Sequence, residues 1–304
     1  MSKPTTPVPA AAKLRELLAE KDKVVVCPGV YDGFTARIAL AAGFDALYMT
    51  GAGTTMSMLG QADLGIATLN DMVQNAGMIA GLNRKLPLIA DADTGYGGPL
   101  MVGRTTAQYM QAGVAAFHLE DQVQTKRCGH LRNKELVDEE VFLSRIKAAV
   151  NMRVQTPGDI LIIARTDALQ SLGFEAALNR LKKAIAIGAD IAFLEGIANA
   201  EQAKQACQEL SPTPVLLNNV AGGLTPKWTV QEAKDLGFKI VIYPGFALGP
   251  VYKAVADAAK ELKETGDLQV PTSAGPKAIF EICGLKEAIE FDIAAGGNLY
   301  VRGV

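Results

Sequence analysis

The chain has 304 residues, 49% hydrophobic and 20% charged, with 30 Gly against 14 Pro, which supplies a sizeable core and excludes disordered, collagenous and coiled-coil classes. Thirty Lys and Arg against 32 Asp and Glu give a formal charge of −2 with no basic run longer than a pair, so no nucleic-acid partner is expected. With no apolar stretch near the roughly 18 residues of a membrane span, no signal-peptide core in 1–12 and four scattered cysteines, a cytoplasmic chain with reduced thiols is expected, organelle import staying open.

The first apolar run, KVVVCPG from Lys23, has the length of a short buried strand and leads into a helix-like stretch at 31–42. AAGFDALYMTG from Ala41 then introduces a unit in which a helix ends at Gly and a non-alternating run of β-formers follows. LPLIADAD from Leu86 is the third run. The Gly-led unit returns as QAGVAAFHLED from Gln111, AIGADIAFLEG from Ala186 and DLGFKIVIYPG from Asp235, with DILIIARTD from Asp159 and PVLLNN from Pro214 interleaved. Amphipathic stretches at 104–111, 138–150, 173–187, 200–210 and 229–236 separate these runs. Strands alternating with helices require right-handed parallel crossovers, and eight such units close into a (β/α)8 barrel. One barrel domain is expected, with its core at about 24–263. A doubly wound open sheet is the rival, but no G-x-G-x-x-G follows the first strand.

Three segments exceed a minimal barrel. Those at 52–69 and 121–137 read as binding loops or lids. The tail 264–304, with an apolar helix-like patch at 278–288, has no barrel position left and predicts a homo-oligomer.

Barrel chemistry sits where strands end, and these runs end on Tyr48 and Thr50, Asp91 and Asp93, Glu120 and Asp121, Arg165 and Asp167, Glu195, and Asn218 and Asn219. Strand alternation puts Asp91 and Asp93 on one side, and likewise His118 and Glu120, so Asp91, Asp93 and Glu120 are expected to converge. Crowded carboxylates repel unless a cation lies among them, and oxygen-only ligands favour Mg2+, then Mn2+. The alternative is that these acids cap helices or pair with Arg and Lys. In KRCGH the thiol of Cys128 stands beside Lys126, Arg127 and His130, a setting that suits an acid/base cysteine better than a buried small hydrophobe. Arg165 must meet a carboxylate, either a substrate's or that of Glu195, and the T-G-A-G turn at 50–53 offers amides to a carboxylate. His118 reads as packing or as support for its neighbours.

Taken in order, YMTGAG, ADADTGYG, HLEDQ, KRCGH, ARTDA, FLEG and LLNN resemble the isocitrate lyase and phosphoenolpyruvate mutase superfamily from Val24 to about Val304, and the length resembles its small members. The resemblance implies a Mg2+ pocket of Asp91, Asp93 and Glu120, with Asp63 acting through water. It implies that Tyr48, Thr50, Gly51 and Ala52 hold the substrate's α-carboxylate and oxygen, with Arg165, Glu195 and Asn218 as further contacts. It also implies a mobile loop carrying Cys128, and a dimer of dimers that exchanges a C-terminal helix. Members that cleave carbon–carbon bonds keep the loop cysteine as the acid that protonates the departing carbanion. Oxaloacetate hydrolases of the superfamily carry a serine at the end of the eighth strand, where this chain has Pro244, which cannot donate a hydrogen bond. The implied reaction is retro-aldol cleavage of a 2-hydroxy dicarboxylate, (2R,3S)-2,3-dimethylmalate first, with Mg2+ and Arg165 stabilising charge, and with Tyr48 or a carboxylate or water at the metal as base. Side chains around Met56, Met58 and Phe246 are expected to read the alkyl substituents. Oxaloacetate hydrolysis and 2-methylisocitrate cleavage are the alternatives, and a non-catalytic barrel binding Mg2+ and dicarboxylates is the remote one.

Overall fold

The computed structural model describes residues 9–129, 133–269 and 271–300, so His130 of KRCGH lies outside it. Before the barrel comes α1 (Ala10–Ala19), a helix the sequence reading did not anticipate. The first half of the barrel is β1 (Val25–Val30), α2 (Gly33–Ala41), β2 (Leu47–Met49), α3 (Gly51–Leu59), α4 (Leu69–Leu82), β3 (Leu88–Asp91), α5 (Pro99–Ala112) and β4 (Ala116–Glu120). The second half is α6 (Glu139–Gln155), β5 (Leu161–Thr166), α7 (Leu169–Leu172), α8 (Phe174–Ile187), β6 (Ile191–Leu194), α9 (Ala200–Leu210), β7 (Val215–Asn218), α10 (Val230–Leu236) and β8 (Ile240–Tyr243). After these follow α11 (Leu248–Thr265), α12 (Pro276–Ile282) and α13 (Leu285–Ala294).

All eight expected strands form, pair in sequence order and in parallel, and close where β1 meets β8 from Val25↔Ile240 to Pro28↔Tyr243. Strand alternation divides the apolar residues between two layers. Val25, Cys27, Tyr48, Ile89, Leu161, Ile163, Phe193 and Ile242 belong to one buried cluster, while Met49, Leu88, Phe117, Ile162, Leu194 and Val241 join helix residues such as Ile79 and Leu181 in the other. Leu14 and Leu17 of α1 belong to the first cluster. The amphipathic period of AAAKLRELLA was sufficient to mark this helix.

Local signals agree with the global fold. Asp32 and Thr35, Thr68 and Asp71, and Thr229 and Glu232 form reciprocal capping boxes at the starts of α2, α4 and α10. α5 ends at Gly113, whose φ of 88 is the left-handed conformation that a Cβ would penalise.

The segment 52–69, expected as a loop, is helical through Leu59, because Thr50 accepts from the Gly53 amide and caps α3. The tail forms two helices, broken at Gly284, instead of one. On α11 no residue is fully buried, and Tyr252 and Phe291 are each 77% exposed. No helix among the described residues is long and apolar enough to cross a membrane.

Candidate active site

The C-terminal ends of the strands surround a cavity of about 210 Å³. Tyr48 of β2, Asp91 of β3, Arg165 of β5 and Asn218 of β7 reach its wall, and so do Glu195 and Pro244, which directly follow β6 and β8. Thr50 and Ala52 come from the start of α3, and Asp63, Lys126 and Cys128 from the connecting loops. Gly51 is off the wall, but its amide donates to Asp91 Oδ2 at 3.2 Å. Met56 lines the cavity, whereas Met58 does not and Phe246 faces a separate apolar recess with Val26, Pro28 and Phe44. Val220 and Leu248 supply apolar wall that the sequence reading missed.

Asp93 does not owe its place to strand alternation. β3 ends at Asp91, and the backbone turns through the left-handed region at Asp93, φ 47, a conformation Asp tolerates better than most residues. Its amide donates to Asp91 Oδ1 at 2.9 Å, and Tyr109 donates its hydroxyl to the Asp91 carbonyl at 2.7 Å. Burial disfavours the Asp91 carboxylate, but His118, Lys126, Arg165 and the Asp93 amide together hold it at about 2.

A lysine lies among the acids expected to converge. The ammonium of Lys126, only 3% exposed, lies 2.8 Å from Asp63 Oδ1 and 2.5 Å from Asp93 Oδ1. Among the described residues, no three His, Cys, Asp or Glu side chains group so as to hold an ion. Lys126 balances part of the crowded negative charge, and at Glu120 Arg165 Nη1 lies at 3.1 Å. Burial would lower the Lys126 ammonium's pKa, but Asp93, Glu120, Asp91 and Asp63 outweigh it and raise it well above its ordinary value. One ammonium shared among several acids satisfies itself more fully than any of them. Burial, with Asp91 and Asp63 adding to it, therefore pushes Asp93 up to about 6 despite Lys126. Glu120 is likewise pushed up to about 8, by burial first, against Arg165 and Lys126. Asp93 Oδ1 and Glu120 Oε2 remain without a hydrogen-bond partner among the described residues, their cations lying in ion-pair range but off the bonding direction.

Arg165 has partners beyond the two alternatives considered for it. Its Nε and Nη2 donate to Asp167 at 2.9 and 3.2 Å, while Glu195 Oε2 is 3.6 Å from Nη2 and the guanidinium lies over the Phe193 ring at 5.1 Å. Glu195 Oε2 accepts instead from Asn218 Nδ2 at 2.8 Å. His118, fully buried, has its Nε2 at 3.0 Å from the Tyr48 hydroxyl and its Nδ1 at 3.6 Å from Asp91 Oδ1. Burial drives its pKa down to about 4 despite Asp91, so the imidazole is neutral near pH 7. Burial also raises the Tyr48 phenol, Asp91 adding to the effect, which keeps it protonated.

In the sequence Lys126 stands out only as a neighbour of the thiol, and nothing marks Gln122 or Lys134. Gln122 Nε2 donates to Glu120 Oε1 at 2.8 Å, and Lys134 Nζ donates to Asp167 Oδ1 at 2.6 Å. Their loop offered polar residues but no spacing rule to single them out.

Comparison with known proteins follows the same lines. Residues 14–263 match the family described as phosphoenolpyruvate phosphomutase. A 2,3-dimethylmalate lyase of Eubacterium barkeri is 44% identical over 253 residues, covering 83% of this chain and 86% of that protein. A crystal structure of 2,3-dimethylmalate lyase, described as a PEP mutase/isocitrate lyase superfamily member, superposes with TM-score 0.96 at 53% identity, covering 98% of this chain and 99% of that one. Oxaloacetate acetylhydrolase with the inhibitor 3,3-difluorooxalacetate gives 0.95 at 50% identity, covering 97% and 100%. A phosphonopyruvate hydrolase complex with oxalate and Mg2+ gives 0.81 at 25% identity, covering 94% and 99%.

Proposed function

The chain belongs to the phosphoenolpyruvate phosphomutase family, within the PEP mutase/isocitrate lyase superfamily, and from that premise we propose that it is a carbon–carbon lyase that cleaves (2R,3S)-2,3-dimethylmalate to pyruvate and propionate. The observation that carries this reading is that the Cys128 thiol, the Arg165 guanidinium and the apolar Met56, Val220 and Leu248 line one small cavity. That wall offers a proton donor, a carboxylate partner and room for methyl groups.

The donor set suits Mg2+, with Mn2+ as a substitute, because it consists of oxygens and because Asp93 Oδ1 and Glu120 Oε2 are buried without a hydrogen bond among the described residues. In this reading Asp91, Asp93 and Glu120 hold the ion, Asp63 helps through water, and the Lys126 ammonium leaves Asp93 to admit it. When bound, the ion supplies Lewis-acid polarisation of the substrate's C2 oxygen and neighbouring carboxylate.

Thr50, Gly51 and Ala52 orient the α-carboxylate, and Arg165, Glu195 and Asn218 orient the remainder of the substrate. Tyr48, kept as a neutral phenol, donates a hydrogen bond instead of acting as the base, which leaves a carboxylate of the acid cluster or a water held there to take the C2 hydroxyl proton. As the C2–C3 bond breaks, C2 becomes the pyruvate carbonyl and the electron pair passes to C3. Cys128 then delivers its proton to C3 to give propionate, and the wall excludes water that would quench the carbanion without stereocontrol.

A second reading, hydrolysis of oxaloacetate to oxalate and acetate, is supported by the 50% identity to oxaloacetate acetylhydrolase; Pro244 on the wall argues against it. Cleavage of 2-methylisocitrate remains the third option. Each substrate supplied separately, with pyruvate and oxalate as readouts, decides among them. The expected result is the highest kcat/KM on 2,3-dimethylmalate, and faster oxalate release from oxaloacetate would overturn it.

The uncovered apolar faces of α11 and α13 support a homo-oligomer of chains with one barrel domain each; its arrangement as a dimer of dimers through the 264–304 segment and a cytoplasmic location complete the proposal.

A further inference from the structure

We propose that Gln122 and Lys134 are positioning residues that present the Cys128 thiol to the cavity by clamping the peptide units on either side of it. On one side, Arg127 donates its amide to Gln122 Oε1 at 3.2 Å and accepts from Gln122 Nε2 at its carbonyl at 3.0 Å. The same Nε2 donates to Glu120 Oε1 at 2.8 Å, which ties this clamp to the end of β4. On the other side, the Gly129 carbonyl accepts from Lys134 Nζ at 2.9 Å, and the same ammonium lies 2.6 Å from Asp167 Oδ1.

Both anchors are rooted in buried groups. Asp167, wholly buried, also accepts two bonds from Arg165, and its amide donates to Asp121 Oδ1 at 2.8 Å. Asp121 in turn accepts from Arg180 Nη1 at 3.0 Å. The Lys134 side chain is only 3% exposed, so neither hydrogen bond competes with bulk water. At Gly129 a Cβ would collide with Arg165 Nη2, so the loop passes close against the guanidinium. The clamped dipeptide units leave the Cys128 side chain little freedom, and its position follows Glu120 on one side and the Asp167–Arg165 pair on the other. A thiol that must reach a transient carbanion gains from such fixation, since a misplacement of about 1 Å costs a reaction step on the order of 100-fold.

This inference rests on Cys128 being the acid of the proposed lyase, and the test separates the two. Lys134→Met, Lys134→Arg and Gln122→Met are compared with the parent in steady-state kinetics on 2,3-dimethylmalate. Iodoacetamide alkylation of each cysteine is followed by peptide mass spectrometry, with Cys207 and Cys283 as internal references. Lys134→Met should lose about 100-fold in kcat with little change in KM, and Lys134→Arg should recover most of it. In both Met variants the alkylation rate of Cys128 should change while the reference cysteines keep theirs. A Lys134→Met kcat within about threefold of the parent overturns the inference. So does an unchanged Cys128 alkylation rate in the Met variants, which would make the two residues merely structural. Should Lys134→Met not fold, Gln122→Met carries the same two criteria. No cleavage of 2,3-dimethylmalate by the parent sinks the lyase reading itself, and full turnover in Cys128→Ala removes the thiol as its acid, while the alkylation rates in the Met variants still report whether the clamp exists.

Discussion

Removing the Lys126 ammonium tests the electrostatic account of the acid cluster. In Lys126→Met the stem keeps its volume, but Asp63 and Asp93, 9% and 8% exposed, lose their cation. Breaking a buried ion pair from one side costs about 3–5 kcal/mol, because the remaining charge stays desolvated. For a chain of this size, at about 2–4 °C per kcal/mol, the melting temperature in EDTA should fall on the order of 10 °C. By contrast, Lys253→Met at the exposed Lys253–Asp257 pair should leave the melting temperature essentially unchanged. The direction of the pH effect follows from Asp93. Burial raises its carboxyl from 3.8 to about 6, so the stability it contributes is full below about 3.8 and lost as the pH climbs through about 6. Losing Lys126, which lowers the Asp93 pKa, moves that carboxyl further up, so the variant should regain stability as the pH falls, from a higher pH than the parent. Mg2+ at about 100 times its Kd should restore about 2.7 kcal/mol, with tighter binding than in the parent because no ammonium competes for Asp93. Thermal and urea denaturation in EDTA and in Mg2+ measure all of this. A melting temperature within about 2 °C of the parent in EDTA would refute the view that Lys126 balances the cluster.

Cys128→Ala should leave Mg2+ and substrate binding nearly intact while lowering kcat by orders of magnitude; an equal loss of binding, measured calorimetrically, would mean a structural thiol. Asp93→Ala should abolish the metal-dependent rise in melting temperature, and an unaltered rise would remove Asp93 from the metal set. Pro244→Ser, which adds a donor to the wall, should raise oxalate release from oxaloacetate, and no gain would discard the selectivity argument. Leu14→Ala in α1, at a side chain with no exposure, should cost about 2–5 kcal/mol in urea denaturation without changing KM. A loss below about 1 kcal/mol would show that α1 contributes little to closing the barrel.

What the sequence determined by itself is the barrel and most of its rim. Eight short non-alternating β-runs, four of them led in by a helix that ends at Gly, are local properties, and each is written in adjacent residues. Tyr48, Asp91, Arg165 and Asn218 were legible because a strand's last residues must face the mouth whatever the rest of the chain does. The tertiary structure alone decided who neutralises whom. Asp63, Asp93 and Lys126 are far apart in sequence, and no period relates them, so only the folded loop reveals that one ammonium stands between the two acids. Arg165 meets Glu195 as one of the two expected partners, but it also pairs with Asp167 and Glu120, because a guanidinium in a buried rim engages every acid that its five donors reach, and those added partners exist only once the strands stand side by side.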